Sequence, residues 1–211
     1  MTKLSNKTED KISIYKLETS QEILDYYKKW SQNNNYEKDL IEWNYVAPFK
    51  CCQLFLKEDI DKKSFILDAG CGTGLVGKTL KDYGYNNIEG LDFSQEMLDL
   101  VPNNIYQKKY KADLNQNLDI TDNYYDHALC VGTFTYGHVK SEAFKEFYRI
   151  LKNESLFIFS INEGIYKSYK FDEAIFAFEK EGKWKVLSDE KKIYIEKKQI
   201  DAYYFKVKII K

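Results

Sequence analysis

The stretch FILDAGCGTGLVGKTL, residues 65–80, has the pattern of a buried strand, a glycine turn and the start of a helix. Counted from Gly72, the spacing is G-x-G-x-x-G with Asp92 20 positions further on, which is the fingerprint of a dinucleotide site. Counted from Asp68, the spacing is D-x-G-x-G-x-G, which suits a different cofactor. The stretch therefore predicts a ligand site at a strand–turn–helix junction, and the rest of the chain has to decide between the two cofactors.

The sequence around this turn predicts an α/β fold. Apolar or alternating segments predict five strands, at 64–69, 87–93, 105–113, 124–134 and 155–161. Helical patterns follow or separate them, at 74–82, from Ser94 onward, at 141–152 and at 171–182. Two segments near the C-terminus, 191–198 and 202–211, alternate as the strands of an antiparallel edge hairpin do. We therefore predict a doubly wound, Rossmann-like sheet of seven strands, five parallel strands plus a C-terminal antiparallel hairpin.

The segment that precedes the glycine turn is helical in pattern. Apolar and aromatic residues recur on one helical face between Gln21 and about Lys57, and Pro48 is placed to open a helix. The chain has no internal repeat and no low-complexity linker. We predict a single domain with three parts, namely a flexible tail at 1–18, an N-terminal helical cap at 19–60 and the Rossmann-like core at 61–211.

Composition restricts the class of partner and the compartment. The net charge is −1, from 32 Lys+Arg against 33 Asp+Glu, so no overall positive field attracts nucleic acid or an anionic membrane. The start lacks a secretory apolar region, and no apolar run approaches the roughly 18 residues of a membrane helix. The four cysteines form no C-x-x-C pair or zinc-type spacing. We expect a cytoplasmic protein without a metal site.

Carboxylates follow three of the predicted strands: Asp68 the first, Asp92 the second and Asp113 the third. Carboxyl ends of parallel strands meet at one edge, where such sheets bind ligands, and Cys130 begins the segment that ends the fourth strand there. A pyrophosphate beside Asp68 would be repelled, whereas S-adenosylmethionine is cationic at its sulfonium and ammonium groups and has no phosphate. Charge therefore favours this methyl donor, with Asp92 placed for two ribose hydroxyls and Asp113 for the adenine amino group.

The chain also resembles a known family. ILDAGCGTGLVGKTL, IEGLDFSQEML, YKADL, YYDHALCVGTF and EFYRILKNESLFIFSI are similar to successive motifs of the class I S-adenosylmethionine-dependent methyltransferases. The segments YYKKWSQNNNYEKDLIEWNYVAPFKCCQLF and GTFTYGHV resemble the Williams–Beuren-region methyltransferase-like proteins. The resemblance extends over about residues 23–161. The turn before the fifth strand departs from the pattern, because Asn153, Glu154 and Ser155 stand where relatives often carry glycines.

Matched position by position, the resemblance implies a set of residues that contact the donor. In the glycine turn they are Asp68, Gly70, Gly72 and Gly74. Asp92 would bind the ribose, Phe93 and Met97 would lie beside the adenine, and Asp113 with Leu114 would lie at its amino edge. The apolar pair also has the helical spacing of ordinary core residues.

The acceptor side is less marked in the sequence. His138 and Tyr136 follow the fourth strand, where His138 could take a proton from an acceptor and Tyr136 could orient it. A partly exposed loop histidine would have the same pattern. The aromatic N-terminal segment could pack as a plain helical layer, or it could cover the donor and exclude water, for which we select Trp30 and Tyr36.

These features predict methyl transfer by direct displacement to an O, N or S acceptor on a small molecule, with S-adenosylhomocysteine as the product. The VGTF segment lacks the Asn/Asp-Pro-Pro-aromatic motif of base-amino methyltransferases, and no Pro-Cys pair is present. These absences and the near-neutral charge argue against a nucleic-acid substrate. Three alternatives stay open: a protein methyltransferase, a non-catalytic S-adenosylmethionine-binding partner of another protein, and a dinucleotide-dependent dehydrogenase.

Overall fold

The computed structural model describes Leu17 and residues 19–211. Its seven strands form one mixed sheet in the order β3-β2-β1-β4-β5-β7-β6, in which only the last two strands run antiparallel to their neighbours. The strands are β1 (Ile66–Ala69), β2 (Ile88–Asp92), β3 (Lys108–Lys111), β4 (Tyr125–Phe134), β5 (Leu151–Asn162), β6 (Trp184–Ile195) and β7 (Ile200–Ile209). The prediction of a doubly wound seven-stranded sheet with a C-terminal antiparallel hairpin is confirmed.

Helices precede the sheet and connect its strands. Within residues 19–65, the structure describes three helices before β1, namely α1 (Ser20–Trp30), α2 (Asn35–Trp43) and α3 (Ala47–Leu56). The later ones are α4 (Leu75–Asp82), α5 (Gln95–Leu100), α6 (Phe144–Ile150), α7 (Glu163–Tyr166) and α8 (Phe171–Lys180). Because β1 lies between β2 and β4, the chain reverses its winding direction there, and a crevice opens at the carboxyl ends of these strands.

The core consists of two layers, one on each face of the sheet. Successive strand residues alternate between them, so that Leu67, Phe157 and Phe159 belong to one buried cluster and Ile66 and Ile158 to the other. The first cluster is rich in aromatic rings and the second packs under α3 and α4. Both faces of the central strands are therefore covered, which explains their continuous apolar sequences.

The cap begins at a capping box, in which Thr19 and Glu22 bond reciprocally at the start of α1. Its first helix ends at a 3-10 turn, Gln32–Asn34, where Asn33 has φ 56°. Pro48 stands in the first turn of α3, as predicted. Apart from Leu17, the predicted tail at 1–18 lies outside the described residues. Within the described part of the chain, no helix combines the length and apolarity that crossing a bilayer requires.

Several predicted boundaries were wrong. β3 is limited to Lys108–Lys111, although the Gln107 N–H before it already donates to the Ile88 carbonyl of β2 at 2.8 Å. The predicted helix at 141–152 is a 3-10 turn, Ser141–Ala143, followed by α6, and Leu151 already belongs to β5. The predicted turn at 153–155 is an irregularity inside β5, where Glu154 has φ 65° and the register with β4 shifts. The hairpin starts earlier than predicted, at Trp184, and the short helix α7 was not predicted.

Candidate functional site

The glycine turn between β1 and α4 is held by β2. The backbone N–H groups of Gly70 and Cys71 both donate to the Leu91 carbonyl, at 2.7 and 2.9 Å. Gly70 has φ 71°, and a Cβ added there would lie 2.0 Å from Thr133 Oγ1, so no other residue fits this close approach to β4. The turn thus sits between the ends of β2 and β4, and it borders a cleft of about 960 Å³ with its open mouth included. We call this space the glycine-turn cleft.

Asp68 lies at the base of the glycine-turn cleft and is almost fully buried. Its Oδ2 accepts hydrogen bonds from the Gly77 N–H at 3.0 Å and from the Tyr106 hydroxyl, which fixes the first turn of α4. Burial raises the pKa of this carboxyl to about 7, and these two hydrogen bonds oppose the rise. The negative charge at Asp68 is therefore weaker near neutral pH than the sequence-based charge argument assumed.

Asp92 connects the end of β2 to the glycine turn. Its Oδ2 accepts from the Gly72 N–H at 2.8 Å and its Oδ1 from the Ser94 N–H at 2.9 Å. Burial raises its pKa, while these backbone hydrogen bonds lower it. A carboxylate has about four acceptor positions, so Asp92 keeps acceptor capacity beyond its hydrogen bonds to backbone N–H groups. Asp92 lines the cleft and can accept from two adjacent hydroxyl groups.

The residues after β2 and β3 form the next part of the same cleft. Ser94 caps α5, because its Oγ accepts from the Met97 N–H at 3.3 Å, and this turn brings Phe93 and Met97 to the cleft wall. Asp113 and Leu114 line it from the β3 side. Asp113 Oδ1 accepts from the Asn115 N–H at 2.9 Å, which orients the carboxylate. A polar edge beside an apolar wall can hold a planar heterocycle with an amino group.

One buried polar atom in the glycine turn has no partner among the described residues, namely Thr73 Oγ1. Thr73 is 4% exposed and lines the cleft. A buried hydroxyl without a hydrogen bond costs about 1–3 kcal/mol, so a site that keeps one is suited to a polar ligand group. An added Cβ at Gly72 would meet only the Tyr36 hydroxyl, at 3.6 Å. The turn thus offers a hydroxyl and free space for a ligand, which fits an adenosyl compound with a polar amino-acid tail.

The structure brings most of the expected donor residues together at this cleft. Those that line it are Asp68, Gly70, Gly72, Asp92, Phe93, Met97, Asp113, Leu114 and Tyr36, together with His138 from the acceptor side. Gly74 and Cys130 do not line it: Gly74 is the N-cap of α4 and faces Val101, and Cys130 is fully buried within β4. Both residues are next to site residues in the sequence. In the fold, however, core residues cover the side chain of Cys130 and the Cα of Gly74.

Tyr136 and Trp30 are also placed differently from the expectation. The Tyr136 hydroxyl lies against Gly164, where an added Cβ would be 1.9 Å away, and the ring contacts Tyr169. It does not line the glycine-turn cleft. Trp30 lines an adjoining space instead, and its Nε1 donates to Asp39 Oδ2 at 2.9 Å.

His138 is held in one tautomer. Its Nδ1 lies 2.6 Å from the Tyr136 carbonyl, which can only accept, so Nδ1 carries the proton and Nε2 accepts from the Tyr27 hydroxyl at 2.9 Å. Burial lowers the pKa of His138 to about 4, and the Tyr136 carbonyl opposes this shift. The imidazole is therefore neutral at pH 7 and a weak base, and Tyr27, which sequence reasoning did not select for the site, is its partner.

A second space adjoins the first beneath the cap, with an empty volume of about 600 Å³ including its mouth. We call it the aromatic cleft, because its described lining includes Tyr27, Trp30, Tyr36, Trp43, Tyr45 and Tyr194. His138 and Gly132 line both clefts. Trp30 and Tyr36 therefore contribute to a wall that α1 and α2 build over the end of β4.

Comparison with known proteins agrees with this geometry. Residues 67–159, which run from β1 into β5, match the family model described as a methyltransferase domain. Over this segment the chain is therefore similar to methyltransferases. The family resemblance predicted from the sequence motifs is confirmed, and the matched segment contains the glycine turn, Asp92, Asp113 and His138.

Curated relatives match at modest identity. The Bacillus subtilis protein YqeM is 28% identical over 138 residues, 62% of this chain and 56% of its own. The human methyltransferase-like protein 27 is 30% identical over 127 residues, 58% of this chain and 51% of the human one. The Buchnera aphidicola malonyl-[acyl-carrier protein] O-methyltransferase is 36% identical over 112 residues, 52% of this chain and 43% of its own. The chain spans about half the length of the curated relatives it matches.

Solved structures share the fold of this domain. A chain of the Haloferax volcanii complex with the Trm112 methyltransferase activator has a TM-score of 0.64 at 16% identity, over 86% of this chain and 96% of that chain. An S-adenosylmethionine-dependent methyltransferase from Mesorhizobium loti has a TM-score of 0.55 at 15% identity, over 69% and 91%. The [4+2]-cyclase SpnF has a TM-score of 0.62 at 13% identity, over 77% and 81%. At these identities the likeness concerns the fold alone.

Proposed function

We propose that the protein is an S-adenosylmethionine-dependent methyltransferase that binds its donor in the glycine-turn cleft. The observation that carries the proposal is the position of Asp92. It is fixed by the Gly72 and Ser94 N–H groups and keeps acceptor capacity toward the cleft. Such a carboxylate at the end of β2 suits a ribose diol, and the Thr73 hydroxyl beside it suits the polar tail of the same ligand.

The donor residues divide into three groups by chemistry. Asp92 holds the ribose hydroxyls, Phe93 and Met97 give an apolar surface for the adenine, and Asp113 accepts from its amino group. When bound, S-adenosylmethionine supplies a methyl group activated by a positively charged sulfur, and it leaves as S-adenosylhomocysteine. The chain itself must align an acceptor with that methyl group and exclude water, and alignment alone can supply roughly 7–11 kcal/mol of the barrier reduction.

His138 acts mainly by positioning in this proposal. Its pKa of about 4 makes it a poor resting proton acceptor at neutral pH, but its Nε2 fixes the direction of the Tyr27 hydroxyl at the cleft wall. Tyr136 contributes through its carbonyl, which selects the His138 tautomer. His138 and Tyr136, the two residues predicted to be catalytic, thus act on the acceptor side indirectly, by orienting the Tyr27 hydroxyl. The side chain of Tyr136 takes no part in this.

The proposal is tested by thermal unfolding with S-adenosylmethionine, S-adenosylhomocysteine and NADH, each against no ligand. A ligand at 100 times its dissociation constant stabilises a protein by about 2.7 kcal/mol, which raises the unfolding temperature by roughly 5–10 °C. We expect this rise with both adenosyl ligands and no shift with NADH. A shift with NADH alone would contradict the proposal and favour the dinucleotide alternative, and no shift with any ligand would leave only a role in protein binding.

A second candidate function is that of a donor-binding protein that acts with a protein partner. The structural similarity to a chain of the Trm112 activator complex favours it, although that likeness concerns the fold. The similarity to a [4+2]-cyclase also shows that this fold does not by itself fix the reaction. Methyl transfer from labelled donor to a panel of small molecules and to peptide arrays, with the isolated chain, separates the candidates. Label on a small molecule supports the first, label on peptides supports a protein methyltransferase, and none supports the second.

A further inference from the structure

Tyr106 fills a slot between α4 and β2, beside the glycine turn. Its side chain comes from the connection between α5 and β3, and it is 8% exposed. An added Cβ would lie 2.3 Å from its Cε1 at Gly77 of α4 and 2.7 Å from its Cδ2 at Gly90 of β2. Because no side chain fits at either position while the ring is there, these two glycines form the walls of the slot.

Gly77 is the third glycine of the G-x-G-x-x-G spacing, the spacing that suggests a dinucleotide site. In a dinucleotide fold, this glycine permits close packing of the helix against the strand. Here an aromatic ring stands between α4 and β2, and Gly77 makes room for that ring. The third glycine of the spacing is therefore accounted for by Tyr106 and needs no dinucleotide.

The slot brings the Tyr106 hydroxyl to the buried carboxylate of Asp68. The hydroxyl donates to Asp68 Oδ2, which also accepts from the Gly77 N–H at 3.0 Å. Both bonds end on one oxygen, so Oδ1 keeps its capacity as an acceptor, and Asp68 lines the glycine-turn cleft. Burial raises the pKa of the Tyr106 hydroxyl well above its usual range, so it stays a hydrogen-bond donor near neutral pH.

The bond from Tyr106 affects the charge of Asp68. Burial raises the pKa of this carboxyl to about 7, and the Tyr106 hydroxyl opposes the rise more than the Gly77 N–H does. A hydrogen bond to an ionised group is about twice as strong as one between neutral groups, so the hydroxyl favours the ionised carboxylate. Without this bond, Asp68 would be mostly protonated at pH 7 and would lose its attraction for a cation.

We propose that Tyr106 is a positioning residue of the donor site, which holds Asp68 ionised and oriented so that Oδ1 can bind the ammonium group of the donor. The assignment rests on the proposed function, because it needs an adenosyl ligand with an amino-acid tail in the glycine-turn cleft. Tyr106 does not line that cleft, so it acts on the ligand through Asp68. An adenosyl compound without the amino group gains nothing from this pair of residues.

The test is calorimetric titration of the full chain at pH 7 with two ligands, S-adenosylhomocysteine and methylthioadenosine. Both contain the adenine and the ribose, but only the first has an ammonium group. Tyr106→Phe keeps the ring in its slot and removes the hydroxyl. We expect this variant to bind S-adenosylhomocysteine about tenfold more weakly, and methylthioadenosine with less than about a twofold change.

Tyr85→Phe is the matched control. Tyr85 is also buried in the core layer that contains Tyr106, and its hydroxyl donates to the Ile60 carbonyl at 3.3 Å. Neither Tyr85 nor Ile60 lines the cleft, so we expect both affinities to stay unchanged. Equal weakening of the two ligands in Tyr106→Phe would mean that the whole cleft is distorted, and it would overturn the positioning role. So would an equal loss of S-adenosylhomocysteine affinity in the two variants.

The pH dependence of binding is a second measurement, which a purely structural role would not change. Ionised Asp68 attracts the ammonium group, so the affinity of the wild-type chain for S-adenosylhomocysteine should rise as the pH increases through about 7. In Tyr106→Phe, we expect this rise about one pH unit higher, because the carboxylate has lost a donor. A rise at the same pH in both proteins would overturn the proposal.

Other titratable groups face Asp68 from the neighbouring elements, namely Asp92 of β2, Cys52 of α3, Cys71 of the glycine turn and Cys130 of β4. Burial raises the pKa of the three thiols, so they stay uncharged near pH 7. Lys78, next to Gly77 on α4, is exposed to solvent. Asp92 is present in both proteins, and methylthioadenosine reports its titration through the ribose. The difference between wild type and Tyr106→Phe therefore reports on Asp68.

Failure of this proposal can be distinguished from failure of the proposed function. A wild-type chain that does not bind S-adenosylhomocysteine would contradict the proposed function, and the role of Tyr106 with it. A wild-type chain that binds this ligand, with the same affinity in Tyr106→Phe, would contradict only the positioning role.

Discussion

The glycine-turn cleft and the aromatic cleft adjoin each other but are built in different ways. The first is formed at the ends of β1, β2 and β3, where backbone N–H groups bond to carboxylates nearby in sequence, such as Asp92 to Ser94. The second combines helices α1 and α2 with Gly132 of β4 and Lys198 of the β6–β7 connection. The comparison teaches that the ends of the strands supply most of the proposed donor contacts, whereas the aromatic cleft depends on how the cap packs on the sheet.

The largest expected effect tests whether the glycine turn is sterically fixed. We expect Gly70→Ala to lower the free energy of unfolding by about 3 kcal/mol, because the new methyl would clash with Thr133 and φ is 71°. Gly84→Ala is the matched control. Gly84 has φ 90° but open space around an added Cβ, so we expect its substitution to lower the free energy of unfolding by about 1 kcal/mol, from backbone strain alone. Urea unfolding measures the loss of stability in both variants. Equal losses would mean that the clash between the new methyl group and Thr133 of β4 does not destabilise the fold.

The next effect concerns donor binding. We expect Asp92→Asn to weaken S-adenosylhomocysteine binding about 100-fold. The amide carries no negative charge, and it has one acceptor oxygen where the carboxylate has two, so it cannot accept from both the ribose hydroxyls and the Gly72 N–H as Asp92 does. Asp99→Asn, on the exposed face of α5, serves as the control and should bind normally. Calorimetry gives both affinities. An unchanged affinity for Asp92→Asn would remove the central contact of the donor site.

A smaller effect distinguishes the acceptor side by its pH dependence. His138 has a folded pKa of about 4 against about 6.5 unfolded, so the unfolded chain binds the extra proton between these values. The contribution of neutral His138 to the free energy of unfolding is fully present above pH 6.5 and is lost as the pH falls toward 4. Between pH 6.5 and 4, we expect the free energy of unfolding to fall by about 2 kcal/mol less in the His138→Gln variant than in the wild-type chain. Urea unfolding at several pH values measures this difference. The same pH slope in both proteins would mean that His138 titrates normally when folded.

The smallest effect tests the partnerless hydroxyl of the glycine turn. Thr73→Val keeps the shape of the side chain and removes a buried Oγ1 that has no partner among the described residues. We expect stability to be unchanged or slightly higher, and S-adenosylhomocysteine affinity to fall about fivefold, or about 1 kcal/mol. The two readouts are thermal unfolding without ligand and calorimetry with it. A loss of stability with normal affinity would make Thr73 a structural residue only.

Sequence reasoning succeeded where a site is local in the chain. Asp92 ends β2 and Ser94 follows it as the cap of the next helix, so their position at the carboxyl edge of the sheet was predictable. The same logic failed for Cys130, because period-two alternation does not say which layer covers a strand residue, and this one is fully buried in the core. It also failed for Gly74, which caps α4 under Val101.

The acceptor side could be predicted only in outline. The aromatic composition of the cap indicated a wall, and Trp30 and Tyr36 are in it. The bond between Tyr27 and His138 joins residues 111 positions apart, and Lys198 reaches Trp43 from a connection beyond the matched domain. Such contacts follow from the docking of the cap, which no pattern of spacing encodes.

The most direct test of the account is a crystal structure of the chain with S-adenosylhomocysteine. We predict that both ribose hydroxyls donate to Asp92, that the adenine lies against Phe93 and Met97, and that the sulfur faces the wall shared with the aromatic cleft. Binding of the ligand elsewhere, or with the ribose away from Asp92, would contradict the assignment of the glycine-turn cleft as the donor site.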